Sequence, residues 1–374
     1  GMTCSADIGL VSIEYTCIDD NHSYTQAISL PTTGVNTTRL NALEKFVKEI
    51  ERGKREWTIA EIDHRLTEIE RMKGNYRPYQ VGLAAALACS AFVFLLGGGP
   101  VEMLCSFVGA GCGNFVRRKM IDRHITLLAC VAVSVAVACL LYLVPFMALQ
   151  NFWGINERHE AGYIGAMLFI IPGFPFITSG LDLAKLDMRS GLERAAYALL
   201  IITVATLVGW LVALMVHLRP ANFAALPLNE WQLLLLRLPA SFCGVFGFSI
   251  MFNSPPKMAA MAGVIGALGN TLRLELVDFG MAAGPAAFLG ALACGLLAAI
   301  VRNRVGYPRI AITIPSVVIM VPGLYMYRAV YNLGLQSVNT GAEWLTRAML
   351  IVLFLPLGQV AARVLTDTKW RHNG

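Results

Sequence analysis

The apolar part of this chain is written twice, and the two copies would face opposite ways across a bilayer. The stretch LLGGGPVEMLCSFVGAGCGNFVR (Leu95 to Arg117) is matched without a gap by MFNSPPKMAAMAGVIGALGNTLR (Met251 to Arg273). Pro100 then falls on Pro256, and Gly113, Asn114 and Arg117 fall on Gly269, Asn270 and Arg273. Further on, FIIPGF (Phe169 to Phe174) is echoed by IMVPGL (Ile319 to Leu324), and Gly191 with Glu193 by Gly341 with Glu343. Apolar coincidences carry little weight in a chain that is 56% hydrophobic. The Pro, Gly-Asn-x-x-Arg and Pro-Gly coincidences, in the same order at nearly the same separation, carry more. Duplicated membrane halves with paired helix-breaking sites are the sequence pattern of secondary transporters.

Only 14% of the residues are charged, against about 25% in an average soluble domain, so the chain reads as an integral membrane protein. A crossing helix needs about 20 apolar residues, and the stretch from Val81 to Leu365 holds roughly ten of them. Charges, Pro and Gly cut it into 81–97, 101–116, 125–148, 161–182 and 192–217, then 231–252, 257–273, 279–301, 310–331 and 343–365. The expected fold class is therefore mostly α: a polytopic membrane protein with a 5+5 inverted repeat, the first repeat over 81–217 and the second over 231–365, behind a small α+β domain over 1–80. In that domain Ile8 to Cys17 is β-rich and pairs with Tyr24 to Leu30 across the Asp-Asp-Asn turn at 19–21. Two amphipathic helices follow, the first ended by Gly53 and the second opened by a capping box of Thr58 and Glu61.

Basic residues in short loops set the orientation. With the N-terminal domain inside, Arg117, Arg118, Lys119, Arg123, Lys257, Arg302, Arg304, Arg309, Arg363, Lys369 and Arg371 are inside as well. Both termini are then cytoplasmic, and an odd number of helices per half makes the repeat inverted. The net charge of +6 is spread over these loops and forms no stripe for nucleic acid. The nine Cys make no CxxC pair or Cys/His metal spacing. No phosphate-binding GxxxxGK[ST] motif and no nucleophile–base set occurs, so neither an enzyme nor a cofactor or metal is expected.

Pro removes a backbone donor and Gly permits unwinding, so Pro172-Gly173 and Pro322-Gly323 are expected to interrupt two helices near mid-membrane. Freed groups there must meet protein, water or ligand. Half-helix N-termini after Gly173 and Gly323 suit a substrate carboxylate, unwound carbonyls suit an ammonium, and Thr178 or Tyr325 suits a side-chain hydroxyl. Asn114 and Asn270 serve either as interhelical glue or as substrate contacts; Arg117 and Arg273 either snorkel to the interface or pair with carboxylates. Among the acids near helix ends (Glu102, Asp182, Glu193, Asp278, Glu343), solvent exposure is the simplest expectation for each; Asp182, beyond the Pro172 break, is the candidate for proton coupling.

The chain resembles the bacterial threonine/serine exporter family. The resemblance rests on ADIGLVSIEYTC (6–17), GVNTTRLNAL (34–43), AFVFLLGGGPVEML (91–104), IIPGFPFITSGLDLAKLDMRSGLER (170–194), FSIMFNSPPKM (248–258), GALGNTLR (266–273) and VIMVPGLYMYRAVYNLG (318–334). It implies a fused two-half form with a cytoplasmic N-terminal domain, exporting small amino acids across the inner membrane by antiport with protons. In some relatives the halves are separate chains, and such a pair resembles a succinate exporter; a dicarboxylate is thus the alternative substrate. A membrane-embedded sensor or scaffold is the alternative from another class. The implied partners are a small amino acid, protons and the lipid bilayer, with a homo-oligomer compatible and nucleic acid not. Relatives also carry another amphipathic helix ahead of the point where GMTCSADIGL begins, so the chain is expected to start inside that domain.

Overall fold

Alternating side chains from Thr3 to Ser29 build a three-stranded antiparallel sheet in the order β1 (Thr3–Ile8), β2 (Ser12–Asp19), β3 (His22–Ser29). The computed structural model describes residues 3–19, 22–30, 34–53, 55–153, 160–218 and 226–371. The β2–β3 hairpin is the one expected from the sequence, with Asp19 opposite His22; of its turn, residues 20 and 21 lie outside the described residues. The stretch expected as one β-rich run instead folds back at Gly9–Ser12, where the Gly9 N–H donates to the Ser12 carbonyl at 2.8 Å, and β1 is an added strand.

That bond makes Gly9 and Ser12 a hydrogen-bonded pair. Alternation along the ladder makes Cys4 and Cys17, directly opposite one another, a non-hydrogen-bonded pair, the kind with the closest side chains. Their sulfurs are 2.7 Å apart. Diamide is therefore expected to oxidise the two thiols to a cross-strand disulfide, lowering the thiol count of the purified protein by two; Cys4→Ser or Cys17→Ser should prevent it. Hydrogen bonding to Cys4, then burial and the Cys4 charge, hold the Cys17 thiol above its usual range. Because the thiolate is the reactive form, closure should be slow at neutral pH and accelerate above about pH 8.5. A closure rate indifferent to alkaline pH would contradict this.

Helix α1 (Thr37–Glu51) is capped by Asn36, which accepts from the Arg39 N–H at 3.1 Å, and stops before Gly53 at φ +59°. The capping box at the start of α2 (Ile59–Glu70) forms as expected: the Thr58 N–H donates to Glu61 at 2.9 Å and the Glu61 N–H to the Thr58 hydroxyl at 3.3 Å. Thr58's backbone and hydroxyl donors, ahead of Arg55, hold the Glu61 carboxyl below its usual range.

The apolar chain forms α3 (Pro78–Leu95), α4 (Pro100–Asp122), α5 (Leu127–Trp153), α6 (Glu160–Met167), α7 (Gly173–Leu183), α8 (Met188–Met215), α9 (Glu230–Met251), α10 (Pro256–Asp278), α11 (Ala283–Val305), α12 (Arg309–Val318), α13 (Gly323–Gly334), α14 (Val338–Thr366) and the short α15 (Thr368–Arg371). Among the described residues, seven of these are long and apolar enough to cross a membrane, and nine spans result if α6 with α7, and α12 with α13, each count as one bent span. The chain is a polytopic membrane protein. Pro100 and Pro256 each occupy the first turn of their helix, where a missing N–H is harmless. Among the boundaries that differ from expectation, α4 runs on through Arg117, Arg118 and Lys119 to Asp122, and α10 to Asp278. Charged residues at a helix end are good helix formers, and neither extension contains a Gly or Pro to stop it.

The packing pairs fall into two series. Contacts of α3 with α4, α4 with α5 and α6, α5 with α6 and α8, and α7 with α8 recur as α9 with α10, α10 with α11 and α12, α11 with α12 and α14, and α13 with α14. Across the middle α3 meets α9, while α7 touches α14 and α8 touches α13. The α3–α9 seam is lined by small residues: a Cβ on Gly247 would strike the Ala84 carbonyl and lie 2.9 Å from the Ala88 Cβ. The N-terminal elements dock at two places. The Thr37 hydroxyl meets the Ser254 hydroxyl at 2.7 Å, and the Tyr76 hydroxyl donates to the Ser254 carbonyl at 2.7 Å. At the start of α8, Arg189 donates to Asp7 at 2.6 Å and to the Ser12 hydroxyl at 2.9 Å, and Glu193 accepts from the Leu10 N–H at 2.5 Å.

Candidate functional site

Both Pro-Gly pairs break their helices, and in the same way. Pro172 has φ −80° and ψ 57°, and Pro322 has φ −83° and ψ 55°. Each centres an inverse γ-turn, in which the Gly173 N–H donates to the Ile171 carbonyl at 2.8 Å and the Gly323 N–H to the Val321 carbonyl at 2.9 Å. The axes bend by 61° between α6 and α7 and by 49° between α12 and α13. The first helical bonds beyond the breaks are Phe176 N–H to Pro172 and Met326 N–H to Pro322, both 3.1 Å.

The expectation of freely presented N-termini needs correction. The γ-turns commit the Gly173 and Gly323 donors to the chain itself, and Pro175 brings no N–H to the first turn of α7. The N–H groups of Phe174, Leu324 and Tyr325 lie ahead of the first helical bonds and are the ones left to offer.

The breaks also pack on each other. A Cβ on Gly173 would lie 3.0 Å from Val318 Cγ1 and 3.2 Å from Val321 Cγ2; a Cβ on Gly323 would run into Ile171 and lie 2.8 Å from Leu168 Cδ2. Between them lies a void of about 10 Å³ lined by Phe92, Leu168, Ile171, Phe248, Val318 and Val321. That is the room of about one water molecule, so the breaks are closed on one another in this conformation.

Asn114 and Asn270 are both fully buried, and each Gly-Asn turn lies beside the break of its own half. A Cβ on Gly113 would be 3.1 Å from the Phe169 ring, and one on Gly269 would be 3.4 Å from the Met320 methyl. Asn270 donates to the Ser241 hydroxyl at 2.8 Å and accepts from Arg273 Nε at 3.1 Å. Arg273 also lies within electrostatic reach of Tyr325, whose ring centre is 5.5 Å from that of Trp344. Arg117 similarly lies near Tyr197. Thr178 is buried, and its hydroxyl is committed to its own helix, donating to the Phe174 and Pro175 carbonyls at 3.0 and 3.2 Å. Asp182 stands apart at the far end of α7, paired with Arg194 of α8 at 2.7 Å.

Two charged residues are placed differently from the sequence reading or were missed by it. Glu102 is not a solvent-exposed loop acid: it is 4% exposed and accepts from the Gly99 N–H at 2.9 Å and the Gly162 N–H at 3.3 Å. Its place two residues after Pro100 is the signal, since an acid there caps the helix start. Arg328, in the half-helix after the second break, is buried with its guanidinium 4.8 Å above Trp344. Its spacing from Pro322 could have flagged it as a charge at membrane depth.

Residues 1–217 match a family model described as "Putative threonine/serine exporter", and residues 237–365 match a second described as "Threonine/Serine exporter, ThrE". An uncharacterized protein of Haemophilus influenzae is 30% identical over 135 residues, covering 33% of this chain and 45% of that protein. The "Probable succinate transporter subunit YjjP" of Escherichia coli is 27% identical over 158 residues, 41% of this chain and 57% of that protein. Its Klebsiella aerogenes namesake is 23% identical over 207 residues, 54% of this chain and 75% of that protein. The chain thus spans about half the length of the first two relatives. No solved structure matches the chain.

Proposed function

Because the chain belongs to the threonine/serine exporter family, we propose that it is a secondary transporter exporting threonine, serine and similar small amino acids across the cytoplasmic membrane in exchange for protons. The reading rests on the two Pro-Gly breaks, whose equal dihedrals and mutual packing are what a site shared by two related halves requires. In this reading α3 to α8 form one five-crossing repeat (81–217) and α9 to α14 the other (231–365), with α4 as the tenth crossing. The recurring packing pairs support it. Residues 1–80 are a cytoplasmic α+β domain. In its support, both docking places of that domain lie at ends rich in bases.

When the breaks part, the N–H groups of Phe174, Leu324 and Tyr325 face the substrate carboxylate at the positive ends of two half-helices. The carbonyls of Ile171 and Val321, released from their γ-turns, face the ammonium. Two relatives named as succinate transporter subunits favour a second reading, export of a dicarboxylate with Arg117 and Arg273 on its carboxylates. Counterflow in proteoliposomes separates the two. Labelled threonine should exchange, competed by serine and alanine but not by succinate; succinate exchange without threonine exchange would favour the second reading, and exchange of neither would sink both.

A further inference from the structure

The two Gly-Asn-x-x-Arg copies share a sequence pattern but not a hydrogen-bond pattern. In the second copy the circuit is closed, from Arg273 Nε through the Asn270 amide to the Ser241 hydroxyl. In the first copy Asn114 Oδ1, Asn114 Nδ2 and Arg117 Nε are all buried, and none has a protein partner among the described residues. Because both ends of the amide are unpaired, the result does not depend on which way the amide is turned. The cause is in α3. The register that sets Asn114 on Asn270 sets Ala85 on Ser241, and Ala85 is fully buried: a methyl stands where the second half has a hydroxyl. Buried polar groups are nearly always paired, and three open ones within a single helical turn call for a group able to serve them all.

We propose that Asn114 and Arg117 form the main-chain recognition site for the exported amino acid, a claim that rests on the transport reading above. Alongside the half-helix N–H groups and the carbonyls of the two breaks, Arg117 Nε and Asn114 Nδ2 donate to the same α-carboxylate, and Asn114 Oδ1 accepts from the same α-ammonium. The site adjoins the first break, since Gly113 packs against Phe169 just ahead of Pro172, so the turn that moves when the breaks part is the turn beside the ligand. An ionised dicarboxylate would leave Oδ1 without a donor in a buried place, which selects against it. The closed circuit of Asn270 offers no second site, so one amino acid binds per chain.

The decisive variant is Ala85→Ser, which supplies the missing hydroxyl and closes the first circuit on the pattern of the second. Equilibrium binding of labelled threonine to the purified protein should show one site per chain. Ala85→Ser should weaken binding at least tenfold without lowering the melting temperature, whereas Ser241→Ala should leave affinity within twofold. Asn114→Ala, which decides the matter if Ala85→Ser does not fold, should also weaken binding at least tenfold. Unchanged affinity in Ala85→Ser or Asn114→Ala would mean that Asn114 holds water only, and two sites per chain would contradict the asymmetry; either result leaves the exporter reading intact. A wild-type protein that neither binds nor exchanges threonine would overturn the site and that reading together.

Discussion

Leucine at Gly323 or at Gly173 is expected to abolish threonine counterflow. At Gly323 even the first added carbon meets Ile171 and Leu168, and at Gly173 it meets Val318 and Val321; a whole isobutyl group has nowhere to go while the breaks are closed. Overpacking of this kind destabilises the closed arrangement by about 1–3 kcal/mol, which spread over one conformational equilibrium is roughly fivefold to 150-fold in population. The gentler companion change is Pro→Ala. Alanine restores the missing N–H at 172 or 322 and the ordinary helical preference, so the γ-turn competes with a straightened helix. The Pro172→Ala, Pro322→Ala double variant should insert and melt normally yet need severalfold more threonine for half-maximal counterflow. Unchanged affinity and rate in that variant would place the binding site elsewhere.

Replacing Asp182 by Asn should abolish concentrative export, lowering the steady gradient at least tenfold, while counterflow stays within about twofold. The carboxylate and Arg194 are 2.7 Å apart with their side chains 24% and 27% exposed, a partly sheltered pair joining the half-helix α7 to the long α8. Neighbouring packing is tight, since a Cβ on Gly191 would come within 2.6 Å of Leu183. A reorientation of α7 must either carry the pair with it or part it. Parting leaves a carboxylate that exchanges its ion partner for a proton, a common coupling device in membrane transport. Asparagine cannot make that exchange but can still accept a hydrogen bond from Arg194. Undiminished uphill export by Asp182→Asn, measured with an imposed pH gradient, would remove this residue from coupling.

Elements whose cause is local were legible in the sequence. Thr58 and Glu61 cap α2 as their three-residue spacing requires, Asp19 and His22 close a hairpin, and both Pro-Gly pairs break their helices. What escaped depends on distant partners. Nothing near Asn114 says that its amide is open while that of Asn270 is closed; the difference is made by Ala85 and Ser241, each 29 residues away in the chain. Glu102 read as a loop acid because its acceptors' partner, the Gly162 N–H, arrives from α6. The donors of Gly173 and Gly323 looked available because a γ-turn bond has no sequence signal beyond the Pro that centres it. Strand β1 was missed because its apolar positions, Cys4, Ala6 and Ile8, are mostly small and β-branched residues are few, so it is held mainly by its pairing with β2.

The α3–α9 seam, where Gly247 rests on Ala84 and Ala88, has a mechanical consequence. Helices that meet through large side chains are geared: ridges sit in grooves, and one helix moves against the other only by lifting every tooth. Here the teeth are absent over the middle of the contact, and the surfaces meet nearly backbone to backbone. Such a contact has low friction without being loose, because close approach keeps the dispersion attraction while removing the steps. If one half rotates about the other along this line, the seam itself offers little resistance, and most of it comes from Leu168, Ile171, Val318 and Val321, which with Phe92 of α3 and Phe248 of α9 line the void beside the seam.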